Sequence, residues 1–466
     1  MSATDPKPKY VPLRPAGLLE RYHISRCQAG FDSGVAVAAH YTGDTPLTKD
    51  LVYGALKYAI KRQVNLAVQV EGTDTPRFLR LPSVNLSHVV TMVAEPQSLE
   101  DVLSAQFASQ FPDGTEDPLW RLTVLPDNTV VFAYHHAIGD GQSGLAFHRT
   151  FLAGLNGQQD TVSDTEDIVP VPDDLTMEPT IEQLANTSMS FRTIFNVLYE
   201  LLAPKSWLPG SSAWTANPVI KAPSLTTNVR IWEISREDAE LFLRQCKSHG
   251  TTLTGALYTL SIVVLSRLLT TAEIPKLYKT ISTAVPVSLR PLTGTPRNAM
   301  CDQASAVTSY VPFIRPVPTG HPASTFPWHT AAQLSTALRE SLRRTLEVIG
   351  TIKLMYLFGM AKTYFTDKLG EKRHDTFELS NVGRFADARG ESGAGGKWDI
   401  DSTYFGQCNA IYGAAIKMNV VGSPTGTINT VFTWGAGSID DALVDAFISG
   451  VKGELRLLVD QNAEGK

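Results

Sequence analysis

A chain of 466 residues is too long for one ordinary core, so two units of about 150–250 residues each are expected. Hydrophobic residues make up 43% of it and charged residues 19%, which excludes a disordered chain. The net charge of −5, from 41 Lys and Arg against 46 Asp and Glu without long single-sign blocks, speaks against nucleic acid or an anionic membrane as partner.

The N-terminal MSATDPKPKYVPLRP is polar and Pro-rich and lacks the apolar core of a signal peptide. From Gly30, the segment GFDSGVAVAAHY mixes small and β-branched residues and reads as a strand. In TPLTKDLVYGALKYAIKRQ, Val52, Ala55, Leu56, Ala59 and Ile60 recur at helical spacing, with Thr48 placed to cap the start. PLWRLTVL (118–125) and NTVVFAY (128–134) are strand-like runs split by Pro126-Asp127, which reads as a hairpin. GLAFHRTFLAGLNG carries Leu145, Phe147, Phe151 and Leu152 and reads as a short helix ending at Gly154 or Gly157. Residues 157–179 are acidic, Pro-rich and aperiodic, the composition of a surface loop at a domain boundary.

A helical connector (180–204) and a Pro/Ser-rich passage lead to the strand NVRIWEI. Ser235 then caps a helix with Ala239, Phe242, Leu243 and Cys246 on one face. A helix from Thr252 to Leu269 is apolar on most sides and should be buried. Its run ALYTLSIVVLSRLL (256–269) is too short to span a bilayer and holds Ser261, Ser266 and Arg267, so no membrane span and a cytoplasmic location are expected. Strands follow near 281–287, 305–314, 376–381, 409–421 and 426–434, with a helix around 329–349, a loop at 386–400, and a last helix capped by Ser438. The bunched strands suit two open α/β layers better than a doubly wound sheet. Four cysteines, Cys27, Cys246, Cys301 and Cys408, lie far apart without CxxC spacing and read as buried free thiols.

The densest chemistry is in VVFAYHHAIGDGQSG (130–144), where two of the chain's ten histidines stand side by side at the end of a strand. Neighbouring side chains of a strand point to opposite faces, so only one of His135 and His136 faces a given pocket. Gly139 and Gly141 argue against a helix that would pair His136 with Asp140 as metal ligands, which leaves zinc a weak alternative. A neutral imidazole that accepts a proton from a hydroxyl or amine is the stronger reading, with Asp140 orienting the site, pairing with a cation, or capping the next helix.

HHAIGDG (135–141) resembles the HHxxxDG motif of acyltransferases with the chloramphenicol-acetyltransferase-like fold, among them plant BAHD acyltransferases and nonribosomal-peptide condensation domains. The nearest likeness is to the fungal alcohol O-acetyltransferase family. ERYHISRCQAGF (20–31), DPLWRLTVL (117–125), VPVSLRP (285–291) and FELSNVGRF (377–385) resemble that family's segments in the expected order, so the likeness covers most of the chain.

The resemblance implies an α/β two-layer fold of two chloramphenicol-acetyltransferase-like domains, with a channel between them and the motif at its middle. Along the chain this divides into 1–180, a connector 181–225, and 226–466. It makes His136 the general base and Asp140 a structural residue turned toward an Arg. Arg290 in VPVSLRP is the chosen partner, with Arg121 on the hairpin as rival. His135 and Gly141 support the turn, and no metal is implied. Ser380 and Asn381 of SNVG are assigned to the cofactor side of the channel, although a strand end followed by a glycine turn explains them equally. The cosubstrate implied is acetyl-CoA or another acyl-CoA, not permanently bound, and the acceptor a small-molecule alcohol such as a secondary metabolite; the chain is expected to be a monomer. The Asp-Phe-Gly-Trp-Gly motif of the BAHD branch is absent, FTWGAG (432–437) being nearest, so that branch's CoA contacts do not carry over. Other readings stay open: an amine acceptor, an acyl donor on a carrier protein, or a non-catalytic binding protein or cyclisation catalyst on the same fold.

Overall fold

The structure, a computed structural model, describes residues 10–157, 166–222, 224–314, 326–361, 363–385 and 397–463. The expected loops 157–179 and 386–400 fall partly outside these residues.

Two sheets organise the fold. The first has five strands in the order Trp398–Gln407, Val35–Gly43, Thr129–Tyr134, Trp120–Val124, Val90–Met92. The hairpin read around Pro126 pairs antiparallel, Trp120 opposite Tyr134 and Val124 opposite Val130. Every residue of Thr129–Tyr134 is buried, as befits a strand covered on both faces. The helices Lys49–Ile60, capped by the Thr48 side chain on Leu51 N, and Gly141–Gly157 pack against each other beside this sheet.

The second sheet runs Ala213–Trp214, Thr280–Ser288, Phe377–Arg384, Ile416–Gly422, Ile428–Gly435, Thr227–Ile234, with Ala304–Pro312 also on Thr280–Ser288. Leu253–Thr271 is its central helix, with Arg236–Ser248, Trp328–Leu357 and Asp441–Ala463 around it. Among the described residues it is the one helix long and apolar enough to cross a membrane, and 67% of its most apolar window is buried inside the fold. That is how a core helix behaves, each buried Leu or Val contributing about 1.5–3 kcal/mol.

Local expectations are corrected in four places. The loop read through residue 400 ends at Trp398, where a strand begins with Trp398, Ile400, Thr403 and Phe405 buried; it pairs antiparallel with Val35–Gly43, so a segment of the C-terminal half completes the first sheet. A bulge between Ile400 and Ser402 shifts the alternation and hides the strand from a period-two reading. The strand read from 409 begins only at Ile416, after a turn in which Ala410 has φ 45°. Leu243 is exposed, because the buried stripe of its helix runs through Ala239, Phe242 and Cys246. The last helix is capped by Asp440, whose Oδ1 accepts from Ala442 N at 2.8 Å, while Ser438 Oγ donates to the Ala415 carbonyl.

Candidate active site

The buried strand Thr129–Tyr134 ends where its partner strand needs a glycine. Gly34 has φ +120°, and a Cβ there would sit 2.2 Å from the Tyr134 carbonyl oxygen. His135, still extended, turns its Nδ1 to accept from Ala137 N at 2.9 Å, which closes the short 3-10 turn His136–Ile138. It is almost fully buried beside Phe111. His136 faces a different set of neighbours. Its ring stacks on His23, with centroids 3.8 Å apart and planes 3° from parallel. His23 lies on the helix Leu18–Gln28.

Below the two stacked rings lies Asp302, its side chain wholly inaccessible. His136 Nδ1 is 3.7 Å from Asp302 Oδ1 and His23 Nε2 is 3.4 Å from Oδ2. Neither is a closed hydrogen bond, so both carboxylate oxygens are buried without a hydrogen-bond partner. Burial holds the proton affinity of His136 down, to about 4, with the Arg26 charge in support and Asp32 opposing. His23 is pushed well below the usual imidazole range by burial and then by His136 and Arg26. Burial pushes Asp302 far above the carboxylate range, and the nearby carboxylates Asp140 and Glu20 add to this.

Asp140 points away from these rings. Its Oδ1 accepts from Arg290 Nη2 at 2.9 Å and from Ser143 N and Oγ at 3.0 Å each, and its Oδ2 faces Arg290 Nε at 3.4 Å. One carboxylate thus caps the helix Gly141–Gly157 and pairs with a buried guanidinium. Arg290 also donates to the carbonyls of Pro296 and Ala299 at 2.8 and 2.9 Å, so its donors are engaged on all sides. Arg121, the rival partner, lies elsewhere; it donates to Gln106 and to the Ser109 and Gln110 carbonyls and stacks over Phe111.

The motif is tied to the second half through Cys301–Gln303. Asp140 N donates to the Cys301 carbonyl at 3.1 Å, and Cys301 N donates to Ser143 Oγ at 3.1 Å. Gly141 sits where both sheets meet the helix start, since a Cβ there would lie 2.4 Å from Val382 Cγ1 and 2.9 Å from the Phe405 ring. Ser380 is buried two residues before Val382; Asn381 donates to Thr254 Oγ1 at 3.1 Å and accepts from Gly383 N at 2.9 Å. Val382 thus borders the start of the motif helix, and the Asn381 amide is engaged within the fold. A pocket lined by Gly17, Glu20, Thr180, Glu182, Asp302 and Gln303 opens at the Asp302 side of the site.

His23, His136 and Asp302 bring their donor atoms within 4.8 Å of one another. The parallel stack sets the ring lone pairs side by side, whereas a metal bound at about 2.0–2.1 Å needs them to converge. The weak zinc alternative through His136 and Asp140 fails as well, because that carboxylate is engaged by Arg290. His23 and Asp302 escape a sequence reading for separate reasons. His23 sits in ERYHISRCQAGF, three residues before Arg26, a spacing that signals a shared helix face only once that helix is recognised. Asp302 lies in an irregular segment and has no local signature.

A family model described as "Alcohol acetyltransferase" matches residues 97–449, a span that holds His135, His136, Asp140 and Arg290. The chain belongs to the alcohol acetyltransferase family. Among curated proteins it is similar to the probable alcohol acetyltransferase crmB of Aspergillus fumigatus, 26% identical over 93% of this chain and 97% of that protein. It is also similar to the probable alcohol acetyltransferase FCK4 of Fusarium pseudograminearum, 24% identical over 83% of this chain and 80% of that one. Among solved structures, the TRI3 trichothecene 15-O-acetyltransferase from Fusarium sporotrichioides superposes with a TM-score of 0.68 at 14% identity, covering 98% of this chain and 97% of that one. The condensation domain of the Monacolin K polyketide synthase MokA follows with a TM-score of 0.60 at 13% identity, covering 97% of each chain. Membership makes this alcohol acetyltransferase relative an acyltransferase with the chloramphenicol-acetyltransferase-like α/β fold.

Proposed function

We propose that this family member transfers an acetyl or other short acyl group from acyl-CoA to a hydroxyl group of a small molecule, with His136 as general base. The observation that carries the reading is the placement of the His136 imidazole at the end of a fully buried strand, beside the helix start where the two sheets meet. Nδ1 faces Asp302, which leaves Nε2 to face the acceptor.

In the reaction so read, Nε2 takes the hydroxyl proton as the acceptor oxygen attacks the thioester carbonyl and the new C–O bond forms. The tetrahedral intermediate then breaks its C–S bond, and Nε2 returns the proton to the CoA thiolate. No covalent enzyme intermediate is required. Asp140 and Arg290 act as a strut that holds the turn, and His135 fixes the turn through Ala137 N. We assign Ser380 and Asn381, in the strand that also carries Val382, to the cofactor side. The acceptor class we favour is a natural-product alcohol, in keeping with the trichothecene acetyltransferase among the fold relatives.

The test is turnover of labelled acetyl-CoA with a panel of alcohols and amines, by the unaltered chain, His136→Ala and His135→Ala. His136→Ala should lose about 10²–10⁴-fold in kcat with acetyl-CoA binding retained. His135→Ala should lose less activity and should lose thermal stability as well. Retained turnover in His136→Ala removes the base from the mechanism, and acylation of amines alone moves the acceptor class.

A further inference from the structure

We infer that the helix Phe191–Leu202 lies in a lipid–water boundary, its outward apolar stripe seating the protein on a zwitterionic lipid surface. The inference is independent of the proposed reaction. Phe191, Phe195, Leu198 and Leu202 stand at i, i+4, i+7 and i+11 and so form one stripe along the helix. All four are exposed, Phe191 at 93%, Leu202 at 76% and Phe195 at 66%, and the exposed Tyr199 and Leu201 flank them. Trp207, just beyond the helix, is 68% exposed. A helix on a water-facing surface turns such a stripe inward, whereas this one turns it out.

Polar contacts at the helix start hold it this way round. Glu347, on the long helix Trp328–Leu357, accepts from Ser190 N at 3.0 Å, from Ser190 Oγ at 2.7 Å and from Thr193 Oγ1. Ser190 Oγ in turn accepts from Thr193 N at 3.3 Å and caps the helix. Buried Thr187 passes so close to the long helix that a Cβ on Gly350 would lie 2.1 Å from its carbonyl oxygen. Thr193, Ile194 and Val197 are thereby half-buried, and the stripe faces away from the protein. Arg192, Asn196 and Glu200, at i, i+4 and i+8, form an exposed polar edge beside it. A packed side, a polar edge and an apolar crest are the cross-section of an interfacial helix.

Three observations choose lipid as the occupant. The longer segments outside the described residues, 1–9, 158–165, 315–325, 386–396 and 464–466, hold no Leu, Ile, Phe, Tyr or Trp, so they lack the side chains that would cover the stripe. A helix of 12 residues is about 18 Å long and about 10 Å wide, so its crest offers on the order of 200 Å², against the ~800 Å² per partner of a stable protein interface. Lipid sets no such threshold, because each apolar side chain that enters it contributes separately. Finally, Arg192 and Glu200 offset one another, and Lys205 is paired with Glu371 at 2.7 Å. With no excess positive charge here and −5 on the whole chain, anionic headgroups gain nothing, which leaves zwitterionic ones. A length of about 18 Å cannot cross a hydrocarbon core of about 30 Å, so the helix lies along the surface.

Tyr199 and Trp207 suit the headgroup level, where an aromatic ring enters the apolar layer and its polar tip stays wet. The long helix that anchors the seat also reaches the site. Its Tyr356 hydroxyl lies 3.0 Å from Ser25 Oγ, and the Arg21 guanidinium lies 3.8 Å over the Tyr356 ring. Both partners belong to Leu18–Gln28, the helix whose His23 stacks on His136. One element therefore separates the lipid-facing helix from the helix that carries His23.

The experiment is flotation of the full-length chain with vesicles of pure phosphatidylcholine and with vesicles of equal parts phosphatidylcholine and phosphatidylserine. The unaltered chain should float with the first kind, and added salt should not release it. The triple variant Phe191→Ser, Phe195→Ser, Leu202→Ser should partition about 10-fold less or lower, with its unfolding midpoint unchanged. Leu243→Ser, at an exposed leucine of the helix Arg236–Ser248, should float like the unaltered chain. A second measurement leaves the stripe intact. Trp207 is the one exposed tryptophan among the described residues, so brominated phosphatidylcholine should quench its emission, and Trp207→Phe should remove that quenching while flotation persists. Absence of flotation with pure phosphatidylcholine overturns the inference, as does flotation that needs phosphatidylserine and is lost in salt. Undiminished flotation of a folded triple variant overturns it too. A dimer in solution that the triple variant dissolves assigns the stripe to a second copy of the chain instead.

Discussion

Asp140 and Arg290 stand 150 residues apart and meet at 2.9 Å with both side chains nearly inaccessible. A buried pair of this kind stabilises little against apolar residues of the same volume, but removing one member strands a charge, at a cost of about 3–5 kcal/mol. Asp140→Asn is therefore expected to lower the unfolding midpoint and activity together. Thermal unfolding beside a turnover assay checks it, and lost activity at an unchanged midpoint would give Asp140 a direct part in the chemistry. At this scale the sequence names His136, Asp140 and Arg290, because an adjacent pair of histidines before a glycine-flanked aspartate is rare. It does not name Asp302 or the partnership of His23, since their meaning comes from a 3.8 Å ring stack and a shared carboxylate between segments about 110 and 280 residues apart along the chain.

Elements decide how tightly the site is closed. The helix Gly141–Gly157 begins against Val382 of one sheet and Phe405 of the other, with no room for a side chain at its first residue. Gly141→Ala should push that end outward, costing about 1–3 kcal/mol and lowering kcat, because the turn that carries His136 moves with it. Adding Val382→Ala should restore part of both. Circular dichroism melts and kinetics on the single and double variants measure this, and a double variant no better than the single would place the strain elsewhere. The hairpin 118–134 and the capped helices at Thr48 and Ser235 are legible from pattern and capping residue. The strand Trp398–Gln407 is not, because its bulge breaks the alternation and its partner, Val35–Gly43, lies some 360 residues earlier.

For the whole molecule, the expected boundary passage includes a helix that packs little. The helix Phe191–Leu202 has no buried residue, and Phe191 is 93% exposed, so little packing opposes local opening there. Limited proteolysis is expected to cut first within 157–225, and first cuts inside 229–270, which includes the buried helix Leu253–Thr271, would contradict a boundary in that passage. Within either half, composition and period were enough to establish mixed α/β layers, since apolar spacing is a local property of each element. The motif likewise pointed to acyl-transfer chemistry through its resemblance to a known family, because the residues that carry that resemblance are contiguous. The choice of edge strand for the first sheet, the anchoring of the motif by Cys301–Gln303, and the stacking of His23 on His136 were decided only by tertiary structure. Each depends on directional contacts between distant segments, and these leave no periodic trace in the sequence.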